Sequence, residues 1–265
     1  MSIENDLLRL LQQIARNQTE IKLLNIYKGL PISYGTTVNF VSDFEICVPT
    51  SKQHIACLYY QREAYLQGEE MPFLIRSQVT SLNLAKEAAT LTNFEVAKPE
   101  IGKRTRIRVE PNEPLLAFIQ FIGSGYELPV PLADISAEGA GFYLETPFFP
   151  VRQFHPGREI LISISFPDTL SQKIVKRTTR SFAESRGTKP LPNVATWLDG
   201  KVTISARGKI ASVFPELELN RYRVGMSLFF QRLARTVILQ YISQRQAEII
   251  RDLRILSDEI YSRIK

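Results

Sequence analysis

The stretch that decides the fold is RTRIRVEPNEPLLAFIQFIGSGYELPVPLADISAEGAGFYLE, residues 104–145. It contains two short motifs, RTRIR from Arg104 to Arg108 and DISAEG from Asp134 to Gly139. A strand-like apolar segment, Leu115 to Phe121, lies between them, and an alternating segment, Ala140 to Leu144, follows the second motif. The pattern predicts a small antiparallel β-structure with a motif at each of two strand ends.

The residue types in the two motifs indicate a ligand that is both anionic and purine-bearing. The first motif supplies two guanidinium groups four residues apart, and the second supplies a carboxylate, a hydroxyl and a glycine. Arginine pairs bidentately with phosphate or with a guanine edge and also stacks on flat rings. Taken alone, the arginines also fit the outward face of a strand, and Asp134 and Ser136 also fit a turn.

An RxxxR motif followed by (D/N)xSxxG resembles the signature of the PilZ domain, whose members bind the bacterial second messenger cyclic di-GMP. The matching positions are Arg104, Arg108, Asp134, Ser136 and Gly139. The resemblance covers about half of the chain, roughly residues 103–230, because GKIASV at 208–213 and YRVGMSLFF at 222–230 are similar to the closing strands of that domain.

The resemblance implies a role for each matched residue. Arg104 and Arg108 contact phosphate and guanine, while Asp134 accepts from the guanine N1 and N2 hydrogens. Ser136 donates to or accepts from the same base. Gly139 gives the backbone a positive φ or lets it approach the ligand closely.

Two further basic residues, Lys103 and Arg106, are additional candidates that the family pattern does not require. They lie within and next to the first motif, where they add positive charge near a phosphate. No metal and no cofactor is expected apart from cyclic di-GMP as the ligand.

The chain is predicted to be mainly β, with two small antiparallel β-barrels, the second PilZ-like, flanked by an amino-terminal helix and a long carboxy-terminal helix. A polar, basic insertion interrupts the second barrel. The expected parts are a helix at 1–28, a β-barrel at 29–98, a PilZ-like barrel at 99–232 with its insertion at 167–202, and a helix at 233–265.

Apolar spacing gives the expected elements in more detail. Helical spacing predicts an amphipathic helix from Asn5 to about Ile26 and a second helix from about Gln231 to Ile264. The second helix carries a heptad seam with one polar member, which fits packing on its own barrel or pairing with a second copy. Five strands are expected in the first barrel: Thr37 to Phe40, Phe44 to Val48, Ile55 to Tyr60, Met71 to Ser77 and Leu91 to Val96.

Composition places the chain among ordinary globular proteins with a basic surface. The formal net charge is +6, which raises the possibility of an acidic partner or ligand. No apolar run is long enough to cross a bilayer, and the amino terminus lacks the features of a secretory signal, so a cytoplasmic location is expected.

The resulting hypothesis is a bacterial cyclic di-GMP receptor. We expect it to bind the dinucleotide at the junction of its two domains, to change their arrangement and thereby to act on a protein partner in motility, secretion or polysaccharide machinery. An enzyme is the least supported class, because His54 and His155 are both isolated from metal-ligand or catalytic-triad spacing.

Two other classes stay open. A ligand-free structural adaptor would use the long helices to bind a protein. A basic β-barrel that binds nucleic acid would combine its positive charge with exposed aromatic residues, but the aromatic residues cluster in core-like runs, so no nucleic acid is expected. A salt series separates the classes, because nucleic-acid binding weakens steeply with ionic strength.

Overall fold

The computed structural model describes residues 3–42, 44–97, 107–123, 127–145, 153–167, 196–198 and 201–263. The chain forms two compact units, residues 1–105 with 247–265 and residues 106–246. Lys103, Arg104 and Arg106 lie outside the described residues, as does most of the predicted insertion at 167–202.

The first unit contains two helices and seven strands at its amino-terminal side. They are α1 Ile3–Asn17, β1 Ile21–Tyr27, β2 Leu30–Thr36, β3 Phe40–Val41, β4 Glu45–Pro49, α2 Lys52–Gln61, β5 Glu63–Gly68, β6 Ile75–Asn83 and β7 Ala88–Val96. The strands form one antiparallel sheet in the order β2-β1-β5-β6-β7-β4-β3. This sheet is a half-barrel.

Helix α1 belongs to the core of the first unit. Its residues Leu7, Leu11 and Ile14 are buried with Leu23 of β1 and Leu91 of β7 in one apolar cluster. Their spacing of four and three residues places them on one helical face, as the sequence predicted. The helix therefore stabilises the sheet by removing apolar surface from water.

The predicted helix from Asn5 to Ile26 is wrong beyond Asn17. Gln18 adopts a left-handed conformation with φ 52°, which ends the helix, and β1 begins at Ile21. Ile21 and Leu23 are buried on one side of that strand, a period of two that helical spacing had masked. Neither glycine nor proline marks this boundary, so the sequence carried no strong stop signal.

A second correction concerns the first unit's predicted strands. The segment Ile55 to Tyr60 is helical and lies in α2, and only Phe40 of the segment Thr37 to Phe40 is in a strand. The other three predicted strands overlap β4, β6 and β7.

The second unit is built around a closed six-stranded barrel. The described strands of this unit, which include the six of the barrel, are β8 Arg108–Val109, β9 Leu116–Phe121, β10 Glu127–Ser136, β11 Gly139–Glu145, β12 Glu159–Pro167, β13 Thr196–Leu198, β14 Lys201–Glu216 and β15 Arg221–Phe229. The barrel runs β11-β15-β14-β12-β9-β10 and closes because β10 also pairs with β11. Strand β8 extends it by pairing with the end of β10. The mainly-β fold that the sequence predicted is confirmed.

Alternation along the strands fills the barrel with apolar side chains. Ile160, Ile162, Ile164 and Phe166 of β12 are buried, and the residues between them are half-buried. Strand β15 repeats the pattern with Val224, Met226 and Leu228. Arg223, Gly225 and Ser227 alternate with those three and therefore face away from the barrel interior.

The long carboxy-terminal helix, α3 Arg232–Ser262, is confirmed. Its residues up to Gln246 belong to the second unit and the rest to the first. In the second unit, Tyr241 packs on Phe166 with ring centroids 4.8 Å apart. In the first unit, Lys28 Nζ donates to Asp252 at 2.9 Å, and Ser257 donates to the Lys52 carbonyl at 2.8 Å.

Candidate functional site

Four of the predicted ligand residues lie together where β8, β10 and β11 meet. Ser136 at the end of β10 is paired with Arg108 of β8 on one side and with Gly139 of β11 on the other. Asp134, two residues earlier on β10, is paired with Gly141. The two motifs, 26 residues apart between Arg108 and Asp134, therefore meet in space. The remaining predicted residues, Arg104, Arg106 and Lys103, stay predictions because they lie outside the described residues.

Asp134 is a buried carboxylate with an arginine on each oxygen. The residue is 1% exposed. Arg108 Nη1 donates to Oδ1 at 2.8 Å, and Arg223 Nη2 donates to Oδ2. A buried carboxylate is stable only when it is paired and hydrogen-bonded, so the two guanidinium groups keep the acceptor in place. Two cations on one anion also leave a net positive charge, which favours an anionic ligand.

Ser136 stabilises the turn between β10 and β11. Its Oγ donates to the Gly139 carbonyl at 3.1 Å and accepts from the Glu138 backbone N–H at 3.4 Å. The residue is 3% exposed. The structure therefore gives this serine the local turn role that its residue type also fits. Its hydrogen bond to a guanine stays a prediction.

Gly139 is required by the close approach of two strands. A Cβ at this position would lie 2.5 Å from the Met226 carbonyl oxygen of β15. The expected positive φ is not found, because Gly139 is not among the residues with that conformation. The structure thus accounts for this glycine by the close approach of β11 to β15, and its close approach to a ligand stays a prediction.

Arg223 was missed by the sequence analysis, although it lies within the quoted segment YRVGMSLFF. It approaches Asp134 from 89 residues further along the chain. Burial lowers the pKa of the Arg223 guanidinium. The negative charge of Asp134 and its hydrogen bond raise the pKa by more than burial lowers it, so the pKa is raised overall. The available signal was the alternation of β15, which places Arg223 on the same side as Gly225.

A second arginine of β15 lies beside this cluster. The guanidinium of Arg221 stacks on the Tyr143 ring, with its carbon 3.6 Å from the ring centroid. Its Nε also donates to Glu216 at 2.6 Å. This arginine is therefore held by Tyr143 and Glu216 rather than by Asp134.

His54, the buried histidine of the first unit, takes part in a hydrogen-bond network with Asn25. His54 Nε2 lies 2.7 Å from Asn25 Oδ1, and Asn25 Nδ2 donates to Gln61 and to the Glu63 carbonyl, both at 2.7 Å. In the part of the chain that the structure describes, His, Cys, Asp and Glu form no cluster of three that would hold a metal. No described helix is long and apolar enough to cross a membrane.

Several solved structures are similar to this chain over most of its length. K. pneumoniae MrkH in complex with c-di-GMP is 12% identical, with 94% of this chain and 96% of that chain covered and a TM-score of 0.41. The Bacillus subtilis inhibitor of motility, MotI/DgrA, is 14% identical, with coverage of 87% and 97% and a TM-score of 0.39. The PilZ domain of Escherichia coli YcgR with c-di-GMP is 13% identical, with coverage of 55% and 93% and a TM-score of 0.34.

No protein-family model and no curated protein matches the chain. One of these structures, that of YcgR, is described as a PilZ domain. The similarity is distant at these identities and TM-scores, so the function proposed for this chain depends on its own residues. Fold and site define a mainly-β protein whose closed barrel carries a guanidinium–carboxylate cluster at one strand junction.

Proposed function

We propose that this protein is a receptor for cyclic di-GMP. The observation that supports the proposal is the buried Asp134 carboxylate between Arg108 and Arg223, in a sequence that also contains Ser136 and Gly139 at motif spacing. Guanine presents N1 and N2 hydrogens on one edge, which a fixed carboxylate accepts. Arginine pairs with the phosphates of the same ligand.

Arg104 supplies the second guanidinium of the proposed site. Its place in the proposal depends on the sequence alone. Cyclic di-GMP carries two phosphates, so two motif arginines match its charge. Lys103 and Arg106 add to the positive field that attracts the ligand in this proposal.

The proposed receptor responds to its ligand by a change in domain arrangement. In the sequence, Arg104 and Arg108 follow closely on the boundary expected between the two domains, at residues 98 and 99. A ligand that binds both arginines would order the segment that contains them. The altered arrangement would then be recognised by a protein partner, and the proposed partner classes remain motility, secretion and polysaccharide machinery.

Isothermal titration of cyclic di-GMP into the full chain tests the binding site. We expect saturable binding to the wild-type protein and a loss of affinity of about ten- to a hundred-fold for Arg108→Ala, since one charge-assisted hydrogen bond contributes about 1.5–3 kcal/mol. Arg104→Ala should show a loss of the same size.

Arg207→Ala is the matched control for the titration. Arg207 is exposed on β14 and is paired with Phe229, at the other end of β15 from Arg223. The substitution removes one positive charge from the same barrel. The affinity of the variant for cyclic di-GMP should therefore equal that of the wild type. Absence of heat with the wild-type protein, together with an unchanged melting temperature at high ligand concentration, would reject the receptor and favour the adaptor.

A further inference from the structure

Arg223 reaches Asp134 across an intervening strand. It lies on β15, paired with Tyr143 of β11 on one side and with Phe214 of β14 on the other. Asp134 is on β10, which pairs with the far side of β11. The Arg223 side chain therefore crosses β11 before its Nη2 donates to Oδ2 of Asp134.

A glycine of β11, Gly141, makes that crossing possible. Gly141 of β11 is paired with Asp134, so β11 carries no side chain directly beside the carboxylate. A Cβ at Gly141 would lie 3.0 Å from Asp134 Oδ2, the oxygen to which Arg223 donates. The backbone thus leaves open the space that the Arg223–Asp134 contact uses.

The two arginines on Asp134 differ in how firmly the fold holds them. Arg223 is in a nine-residue strand that is paired on both sides. Arg108 begins a two-residue strand, β8, whose described pairing is with the last two residues of β10. Less backbone pairing constrains Arg108, so it is the arginine that can turn from Asp134 to a phosphate at lower cost.

We propose that Arg223 is a positioning residue that holds Asp134 as a fixed, charged acceptor for guanine while Arg108 turns to the phosphate of the ligand. This inference rests on the proposed receptor function. When Arg108 leaves Oδ1, that oxygen becomes available to the guanine N1 and N2 hydrogens, and Arg223 remains on Oδ2. Without Arg223, the departure of Arg108 would leave a buried carboxylate with no cation, so Arg108 would stay where it is.

The expected consequence is a loss of base discrimination when Arg223 is replaced. The probes are cyclic di-GMP and its inosine analogue, cyclic di-IMP, which lacks the amino group on C2. The wild-type protein should prefer cyclic di-GMP by about tenfold or more, the size of one charge-assisted hydrogen bond. Arg223→Met should reduce that preference to about twofold or less, and Arg223→Lys, which keeps the cation, should restore part of it.

Arg221→Met is the matched control. Arg221 lies on the same strand and the same side as Arg223, but it is bound to Tyr143 and Glu216. The substitution removes the same charge two residues away and should leave the preference at the wild-type value. An Arg223→Met protein that melts cooperatively and keeps the wild-type preference would overturn the positioning role.

A measurement without ligand separates this inference from the receptor function. Urea midpoints of Asp134→Ala, Arg223→Met and the double variant form a double-mutant cycle. We expect the double variant to lose less free energy of unfolding than the two single variants lose together, because the two residues contact each other. Additive losses would overturn the Arg223 proposal even if the ligand binds, whereas clear coupling with no binding by the wild-type protein would reject the receptor function instead.

Discussion

At the scale of single residues, His54 is a buried base with an incomplete set of hydrogen bonds. It is 1% exposed, and its Nε2 lies 2.7 Å from Asn25 Oδ1. Asn25 Oδ1 accepts, since the amide nitrogen of Asn25 donates elsewhere, so Nε2 carries the hydrogen. No described atom is within hydrogen-bonding distance of Nδ1. Protonation there would place an unpaired charge in the core.

We predict that His54 makes the stability of the protein fall in mild acid. Burial lowers the pKa of His54 from 6.5 to about 4. The unfolded chain therefore takes up a proton first, so the contribution is complete above pH 6.5 and decreases as the pH falls towards 4. The loss amounts to about 3 kcal/mol, at about 1.4 kcal/mol for each pH unit between the two pKa values. Urea unfolding at several pH values between 7.5 and 4.5 measures it.

His54→Gln is the control for that titration. The substitution removes the titrating ring, so the free energy of unfolding should be lower at neutral pH and should change less between pH 6.5 and 4.5 than in the wild type. His155 and all carboxylates are present in both proteins. Equal pH slopes for the two proteins would contradict the assignment to His54.

The sequence singled out the residues of the candidate site that lie on β8, β10 and β11, but not Arg223 on β15. Arg108, Asp134, Ser136 and Gly139 stood out because their spacing is short and their order is specific. Arg223 did not, since it reaches Asp134 from 89 residues away and only the barrel closure brings the two together. The need for glycine at 139 was apparent from the motif, but its cause, the Met226 carbonyl at 2.5 Å, depends on strand pairing.

At the scale of elements, α2 shows why a buried apolar run is ambiguous. Residues 54–58 are all buried, so the run has neither a period of 3.6 nor a period of two. Local signals decide it: Ser51 accepts from the His54 backbone N–H at 3.2 Å, and Arg62 closes the helix with φ 55°. A serine at the N-cap position was therefore the informative residue.

We predict that Ser51→Ala destabilises the protein by about 1 kcal/mol, the usual contribution of an N-cap side chain. The variant leaves the His54 backbone N–H without its acceptor, and urea unfolding at neutral pH gives the difference. Ser51→Asp keeps an acceptor at this position and should recover most of the loss. Wild-type stability in the alanine variant would show that the cap contributes nothing to α2.

Most apolar residues of the heptad seam of α3 are buried within the chain itself. Ile242, Ile249, Leu253 and Ile260 are buried, whereas Leu239 is 46% exposed. Spacing alone predicted the seam but not its partner, because a heptad fits a barrel or a second helix equally well. Intrachain burial leaves less of the seam for a second copy, and self-association through α3 stays a prediction.

At the scale of the whole molecule, two parts of the chain connect its units. One is the segment between Ala97 and Ile107, whose sequence contains Arg104. The other is α3, which passes from the second unit to the first after Gln246. In the second unit, Arg245 Nε donates to the Glu110 carbonyl at 2.9 Å, two residues after Arg108. The residue that holds α3 in the second unit is therefore close in sequence to Arg108.

We predict that cyclic di-GMP changes the small-angle scattering of the full chain. A ligand that binds both Arg104 and Arg108 would favour one arrangement of the units over others, because it binds that arrangement more tightly. The distribution of interatomic distances should therefore narrow at saturating ligand. The Arg104→Ala variant is measured at a ligand concentration that titration has shown to be saturating. Its scattering profile should stay the same as without ligand, because the contact of Arg104 with the ligand is lost. Identical wild-type profiles with and without ligand would reject the rearrangement and leave binding itself intact.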